Sequence, residues 1–136
     1  MTPIDILLFM GENGIRFKRN EVLSAVDYVT RMIEADRVII IYENRDVHSV
    51  LFFSMSDDTD FFFKKNTWEF RDHDDYGKIV YLEKLVSRGW NKEIRFKVEN
   101  EILKIHPQMT HGAWHRWDWW GDRMVIAKRR IQNVRN

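Results

Sequence analysis

The apolar positions of this chain change period several times, and each change marks an element. Ile4 to Met10 is a short apolar run behind Thr2-Pro3, closed by Gly11 and Gly14. Pro3 suits the first turn of a helix, so the run reads as a short helix, with a strand as the competing assignment. Val22, Val26, Val29 and Ile33 then recur at steps of four, three and four, opposite Glu21, Asp27, Arg31 and Glu34. That spacing predicts an amphipathic helix capped by Asn20 and ending near Ala35-Asp36. Arg37 to Tyr42 carries Val-Ile-Ile-Ile-Tyr, and Val47 to Met55 is a second apolar run across the polar turn Asn44-Arg45-Asp46. Two runs of high β-propensity around a short turn predict an antiparallel hairpin.

Ser56 to Tyr76 is the least regular stretch. It is acidic at Asp57, Asp58, Asp60, Asp72, Asp74 and Asp75, with Phe61-Phe62-Phe63 and Trp68-Glu69-Phe70 embedded. A disordered linker would not carry so many aromatics, so an ordered excursion over a pocket or interface is expected. Lys78 to Val86 reads as a strand buried on both faces. Ser87-Arg88-Gly89-Trp90-Asn91 interrupts it, and from Lys92 the period becomes helical, with Ile94, Val98, Ile102 and Ile105 on one face. Asn91 is the expected N-cap, Glu93 puts a carboxylate in the first turn, and Pro107 stops the helix. His111 to Trp117 and Arg123 to Ala127 are expected as strands around a turn at Asp118-Trp119-Trp120-Gly121-Asp122. Lys128-Arg129-Arg130 and the basic tail at about 131–136 are expected to fray. The whole of 1–136 reads as one α+β domain.

Composition narrows the function classes. The chain has 136 residues with 22 Lys+Arg against 21 Asp+Glu, a balance that disfavours a nucleic-acid or membrane binder acting through global charge. There is no cysteine, which removes disulfides, a cysteine nucleophile and thiolate metal sites together. Nothing resembles a signal peptide or approaches the roughly 18 apolar residues of a membrane span, so a cytoplasmic location is expected. The six tryptophans are unusual, and four of them lie between Trp114 and Trp120. With Arg116, Arg123, Lys128, Arg129 and Arg130 they could stack nucleobases; packing in the core with arginines on the exposed faces is the favoured reading.

Three groups of residues carry candidate chemistry. Glu83 sits mid-strand in an apolar run, where a carboxylate is suited to taking a proton from an amine; an ion pair with Lys84 or a neighbouring-strand arginine is the structural alternative. Arg88, Gly89 and the amides through Lys92 form a candidate anion cradle at a helix start, against an ordinary turn with a solvated arginine. His106, His111 and His115, with Asp72, His73, Asp74 and Asp75, invite a metal reading, but their spacing matches no zinc signature and no metal is assigned.

The order helix, helix, hairpin, strand, turn, helix and strand pair resembles the GNAT N-acetyltransferase superfamily over about Asp5 to Arg130, as element order rather than as a run of identities. Arg88-Gly89 is similar to the opening of that family's pyrophosphate loop, Arg-Gly-x-Gly-x-Gly, with Asn91 and Glu93 at the positions of the later glycines. The resemblance implies a GNAT-like fold whose mixed central sheet, flanked by helices, splays where the central strand meets its following neighbour. It implies acetyl-CoA or another acyl-CoA along Leu85, Val86, Ser87, Arg88, Gly89, Trp90, Asn91 and Lys92. It further implies an N-acyltransferase moving the acyl group to an amine of unidentified acceptor by direct attack. Glu83 would be the base. The family's late acid tyrosine is absent, which leaves His111, His115 or water for that role. The alternative is a non-catalytic interaction or assembly protein, such as a phage structural protein, that keeps the fold and meets a protein partner through exposed aromatics.

Overall fold

Helix α1 (Pro3–Glu12) opens on a capping box. Thr2 Oγ1 accepts from the Asp5 N–H at 3.2 Å, and the Asp5 carboxylate accepts from the Thr2 N–H at 3.1 Å. The computed structural model describes residues 1–63, 66–117 and 124–131, without the side chains of 116, 117 and 124–128. The expected turn at 118–122, with Trp119 and Trp120, Arg123 and the tail from 132 lie outside the described residues.

A 3-10 turn (Arg19–Glu21) leads into α2 (Val22–Glu34). Asn20 lies inside that turn and no side chain caps α2, contrary to the capping expected of it. The tightened turn, with the Glu21 N–H on Lys18 O at 2.9 Å, forms the helix entry instead. Strands β1 (Val38–Glu43) and β2 (Asp46–Ser56) form the expected hairpin. Asn44 and Arg45 both take positive φ (52° and 70°), the backbone of a turn whose twist matches that of the strands. After a second 3-10 turn (Thr59–Phe62) come β3 (Ile79–Ser87), α3 (Lys92–Ile105), β4 (His111–Trp117) and β5 (Met124–Arg130). The Lys128-Arg129-Arg130 stretch expected to fray is strand, paired with Ala113, Gly112 and His111.

The five strands form one open mixed sheet in chain order, so β3 is central. All neighbours are antiparallel except β3 and β4. Tyr28, Val29 and Met32 of α2 and Ile6, Phe9 and Met10 of α1 pack on Val50, Phe52 and Val86. Ile94, Val98 and Ile102 of α3 pack on the other face against Leu51, Phe53 and Val80. The fold is α+β, three helices on a mixed sheet, and no described helix is long and apolar enough to cross a membrane.

Besides a register shift between Ile41 and Tyr42 in the β1–β2 ladder, the sheet departs from regularity at two places on β3. Phe52 pairs with Lys84 but Phe53 pairs with Leu82, so Glu83 is the extra residue of a β-bulge. Opposed residues share a face, which puts Lys84 with Phe52 beneath the first two helices. Glu83 reaches Tyr28 on that same side, so the bulge aims both charged side chains one way. The second departure is that β3 and β4 pair at only three positions, Ile79–His111, Val80–Gly112 and Tyr81–Ala113. Beyond Tyr81 the two strands have no pairing, although β3 runs on to Ser87 and β4 to Trp117.

Gly77 governs the entry to β3. A Cβ there would lie 2.7 Å from the Ser56 nitrogen. Gly77→Ala should lower stability by about 1–3 kcal/mol in urea denaturation, because backbone rather than a mobile side chain must give way.

Candidate functional site

Where β3 and β4 part, a cavity of about 1030 Å³ opens between them and passes from one face of the sheet to the other. Its α3 wall is built by Leu82, Leu85, Val98 and Ile102, with Glu99 and Arg95 from the same helix. The opposite wall carries Tyr81, His115, Lys84, Phe63 and Thr67. Phe63 and Thr67 belong to the long β2–β3 connection, so the irregular aromatic stretch does fold over a pocket.

At the apex of the divergence the Tyr81 hydroxyl meets His115 Nδ1. Phe62 stacks on Tyr81 at 4.7 Å, and Phe63 stands edge-on to His115 at 5.1 Å. Burial, with Glu83 nearby, pushes the Tyr81 phenol up to about 12, and burial pulls the His115 imidazole below its usual value. At neutral pH the phenol therefore keeps its proton and donates it to Nδ1, which leaves the His115 proton on Nε2. Nothing local in the sequence marks Tyr81, which precedes α3, as a partner for His115; β3–β4 pairing brings this early tyrosine beside a late histidine.

Glu83 lies deeper. Its carboxylate accepts from Tyr28 Oη at 2.7 Å and from Arg37 Nη2 at 3.0 Å, with both charged side chains 2% exposed. Arg37 also donates to Phe53 O, Arg71 O and Ser54 Oγ, and its guanidinium lies 4.9 Å from the Phe70 ring. Burial pulls Arg37 below its usual value while Glu83 holds it up; burial and the Glu83 charge push the Tyr28 phenol well above its own. Glu83 is thus held in a buried ion pair, but its partner is Arg37, just ahead of β1 and two strands away, rather than Lys84 or an arginine of a strand beside β3. His111 stands at the paired end of β4, its Nδ1 2.8 Å from Thr110 Oγ1, and does not line the cavity.

The residues expected to hold acyl-CoA divide. Leu85 and Trp90 line the cavity. Val86 is buried against the first two helices, and Ser87 Oγ is 2.6 Å from Ser49 Oγ. The Arg88 guanidinium rests 5.6 Å over the Phe9 ring, and Lys92 Nζ lies 5.5 Å over Phe96. The Gly89 N–H donates to Ser87 Oγ at 3.1 Å. Asn91 caps α3 as expected, its Oδ1 accepting from the Ile94 N–H at 2.9 Å, so the helix mouth already holds one side-chain acceptor.

His73, Asp75 and His106 converge, with potential ligand atoms within 4.8 Å of one another; His111 and His115 stay apart from them. The hydrogen bonds oppose a metal. His73 Nδ1 accepts from the Met55 N–H at 2.8 Å, so Nε2 carries the ring proton and donates to Asp75 Oδ1 at 2.8 Å. A metal on Nε2 would force a proton onto Nδ1, against the Met55 N–H. The cluster instead fastens the β2–β3 connection to the end of β2, with His106 Nδ1 on Asp75 O.

No family model matches the chain, and no curated protein does.

Arg37→Met strands the Glu83 carboxylate under the sheet and should cost about 3–5 kcal/mol in chemical denaturation. Combining it with Glu83→Leu should return much of that loss, because no buried charge is then left alone. The His73 imidazole is held below its usual 6.5 by burial and by Arg37. Its contribution is therefore complete above pH 6.5, and is lost as pH falls through the depressed folded value, since the unfolded chain binds the proton first. The urea midpoint should drop from pH 7.5 to 5. His73→Asn, which can still accept from the Met55 N–H, should flatten that slope but not abolish it, because His115 is shifted in the same direction.

Proposed function

We propose that the chain is a GNAT-like N-acyltransferase that joins an acyl thioester and an amine inside the β3–β4 cleft. The observation carrying this reading is the divergence of a central parallel pair after three residues, which leaves the β3 edge from Leu82 onward facing a cavity. An open strand edge offers backbone donors and acceptors to an extended, amide-bearing arm. The apolar α3 wall suits the arm's methylenes, and the volume falls at the upper end of the usual range for small-molecule sites.

Bound there, an acyl thioester would supply the electrophilic carbonyl and the thiolate leaving group. Tyr81 and His115 supply the proton path. As an amine attacks, Tyr81 Oη takes a proton from its nitrogen while the phenol's own proton passes to His115 Nδ1. Reversal of that relay returns the proton to the departing sulfur, so one proton moves from nitrogen to sulfur overall. Phe62 and Phe63 fix the two rings and keep bulk water from the relay. Glu83 and Arg37 hold the bulge from which this wall is built. The geometry favours Tyr81 with His115 over Glu83 and His111 as the groups that handle protons.

The interaction-protein alternative rests on exposed apolar side chains of the first two helices, among them Leu8 at 59% and Leu23 at 84%. A thermal-shift titration separates the two readings. Acetyl-CoA at about a hundred times its dissociation constant should stabilise the fold by roughly 2.7 kcal/mol; no shift with short- or long-chain acyl-CoA favours the interaction protein. Where turnover is seen, Tyr81→Phe should reduce kcat by about 10²–10⁴-fold with KM little changed.

A further inference from the structure

The α3 wall of the cleft holds two unspent polar atoms one helical turn apart. Glu99, with a side chain only 8% exposed, binds the Arg129 guanidinium of β5 through Oε1, and that oxygen also lies 3.9 Å from Arg95 Nε. Its other oxygen, Oε2, is buried with no hydrogen-bond partner among the described residues, and Arg95 Nε is in the same condition. Both side chains line the cavity. A buried acceptor on a carboxylate and a buried donor on a guanidinium, both unmatched, are expensive to leave so.

We propose that Arg95 and Glu99 form a recognition pair for a ligand arm that presents an N–H and a C=O along one edge. The ligand N–H donates to Glu99 Oε2, and the ligand carbonyl accepts from the Arg95 Nε–H. An extended amino-acid residue has this arrangement, and a β-alanyl link between two amides reaches it when its CH2–CH2 bond is gauche rather than extended. An ammonium group fits less well, because the two arginines leave this wall with a surplus positive charge. The terminal torsion of a glutamate has a shallow profile, so Oε2 can turn to a ligand while Oε1 stays on Arg129. The pair makes the cleft selective for the amide content of the acyl carrier; only the choice of a thioester as ligand rests on the acyltransferase reading.

The test is binding, not turnover, followed through backbone amide resonances of the 16.6 kDa chain. The probes are S-acetylpantetheine, an S-acetyl oligo(ethylene glycol) thioester of equal length with ether oxygens and no N–H, and N-acetylglycine methylamide. The first should bind at least about 10-fold tighter than the second, as a hydrogen bond to a charged group warrants. Glu99→Gln keeps an oxygen for Arg129 but turns the free acceptor into a donor, and should bring the ratio to about one without weakening the ether probe. Arg95→Lys keeps the charge, displaces the donor and should also shrink the ratio. Equal affinities in the unmodified chain, or a ratio unmoved by Glu99→Gln, overturn the proposal. Should neither thioester bind, the acyltransferase reading fails separately. The peptide-like amide then decides: shifts along α3 that vanish in Glu99→Gln uphold the pair, and their absence removes it.

Discussion

One guanidinium gathers four stretches of the chain. Arg37 spends its planar fork on Phe53 O, Ser54 Oγ, Arg71 O and Glu83 Oε2, and Glu83 in turn takes the Tyr28 hydroxyl from α2. A rigid, five-donor fork can be satisfied in few geometries, so these contacts fix β1, β2, the β2–β3 connection and the bulge of β3 against each other at once. A buried ion pair is a poor stabiliser compared with apolar residues of the same volume, but breaking one is severe. Its consequence here is positional. Arg71 lies in the connection that carries Phe63 and Thr67 to the cleft, and Glu83 lies where the open edge of β3 begins. Moving the fork would move both walls.

The open edge is a constraint of its own. Backbone groups of a central strand need partners, and β3 pairs with β2 at every position but the bulged Glu83 and with β4 at only three positions. The contact between Glu99 of α3 and Arg129 of β5 ties the far hairpin to the helix on the α3 side of that gap. A sheet pinned at the apex and braced on one face keeps a slot between β3 and β4. Tyr81 and His115 line one side of it, and Arg95 and Glu99 line the other.

Periodicity made the architecture legible wherever burial alone selects residue type. Ile94, Val98 and Ile102 announced α3, the flanking β-branched runs announced the hairpin, and Asn91 announced a cap that the Ile94 N–H confirms. What stayed hidden depends on partners far away in sequence. Glu99 looked like the polar side of a helix because nothing local shows that Arg129 of another strand will cover it. Tyr81 looked like strand filler until pairing set it beside His115. Glu83 stood out as a charge in an apolar run, but its partner, Arg37, was indistinguishable from the first residue of a strand. The signal for Glu99 was faint but present: a carboxylate next to Val98 on the buried stripe, four residues after an arginine.

The α3 mouth explains why the cleft itself would have to provide most of the recognition on the acyl-thioester reading. A helix start attracts anions through its unpaired N–H groups. Here Asn91 Oδ1 already takes the Ile94 N–H, and Arg88 is turned onto Phe9. The Glu93 carboxylate stands in the first turn, 3.8 Å from Lys97, where it repels a second negative group. Those features weaken any grip on phosphates without touching the cavity behind them. A carrier would then be read along its neutral arm, by the β3 edge on one side and by Arg95 and Glu99 on the other. A small thioester lacking the nucleotide would lose little of its binding.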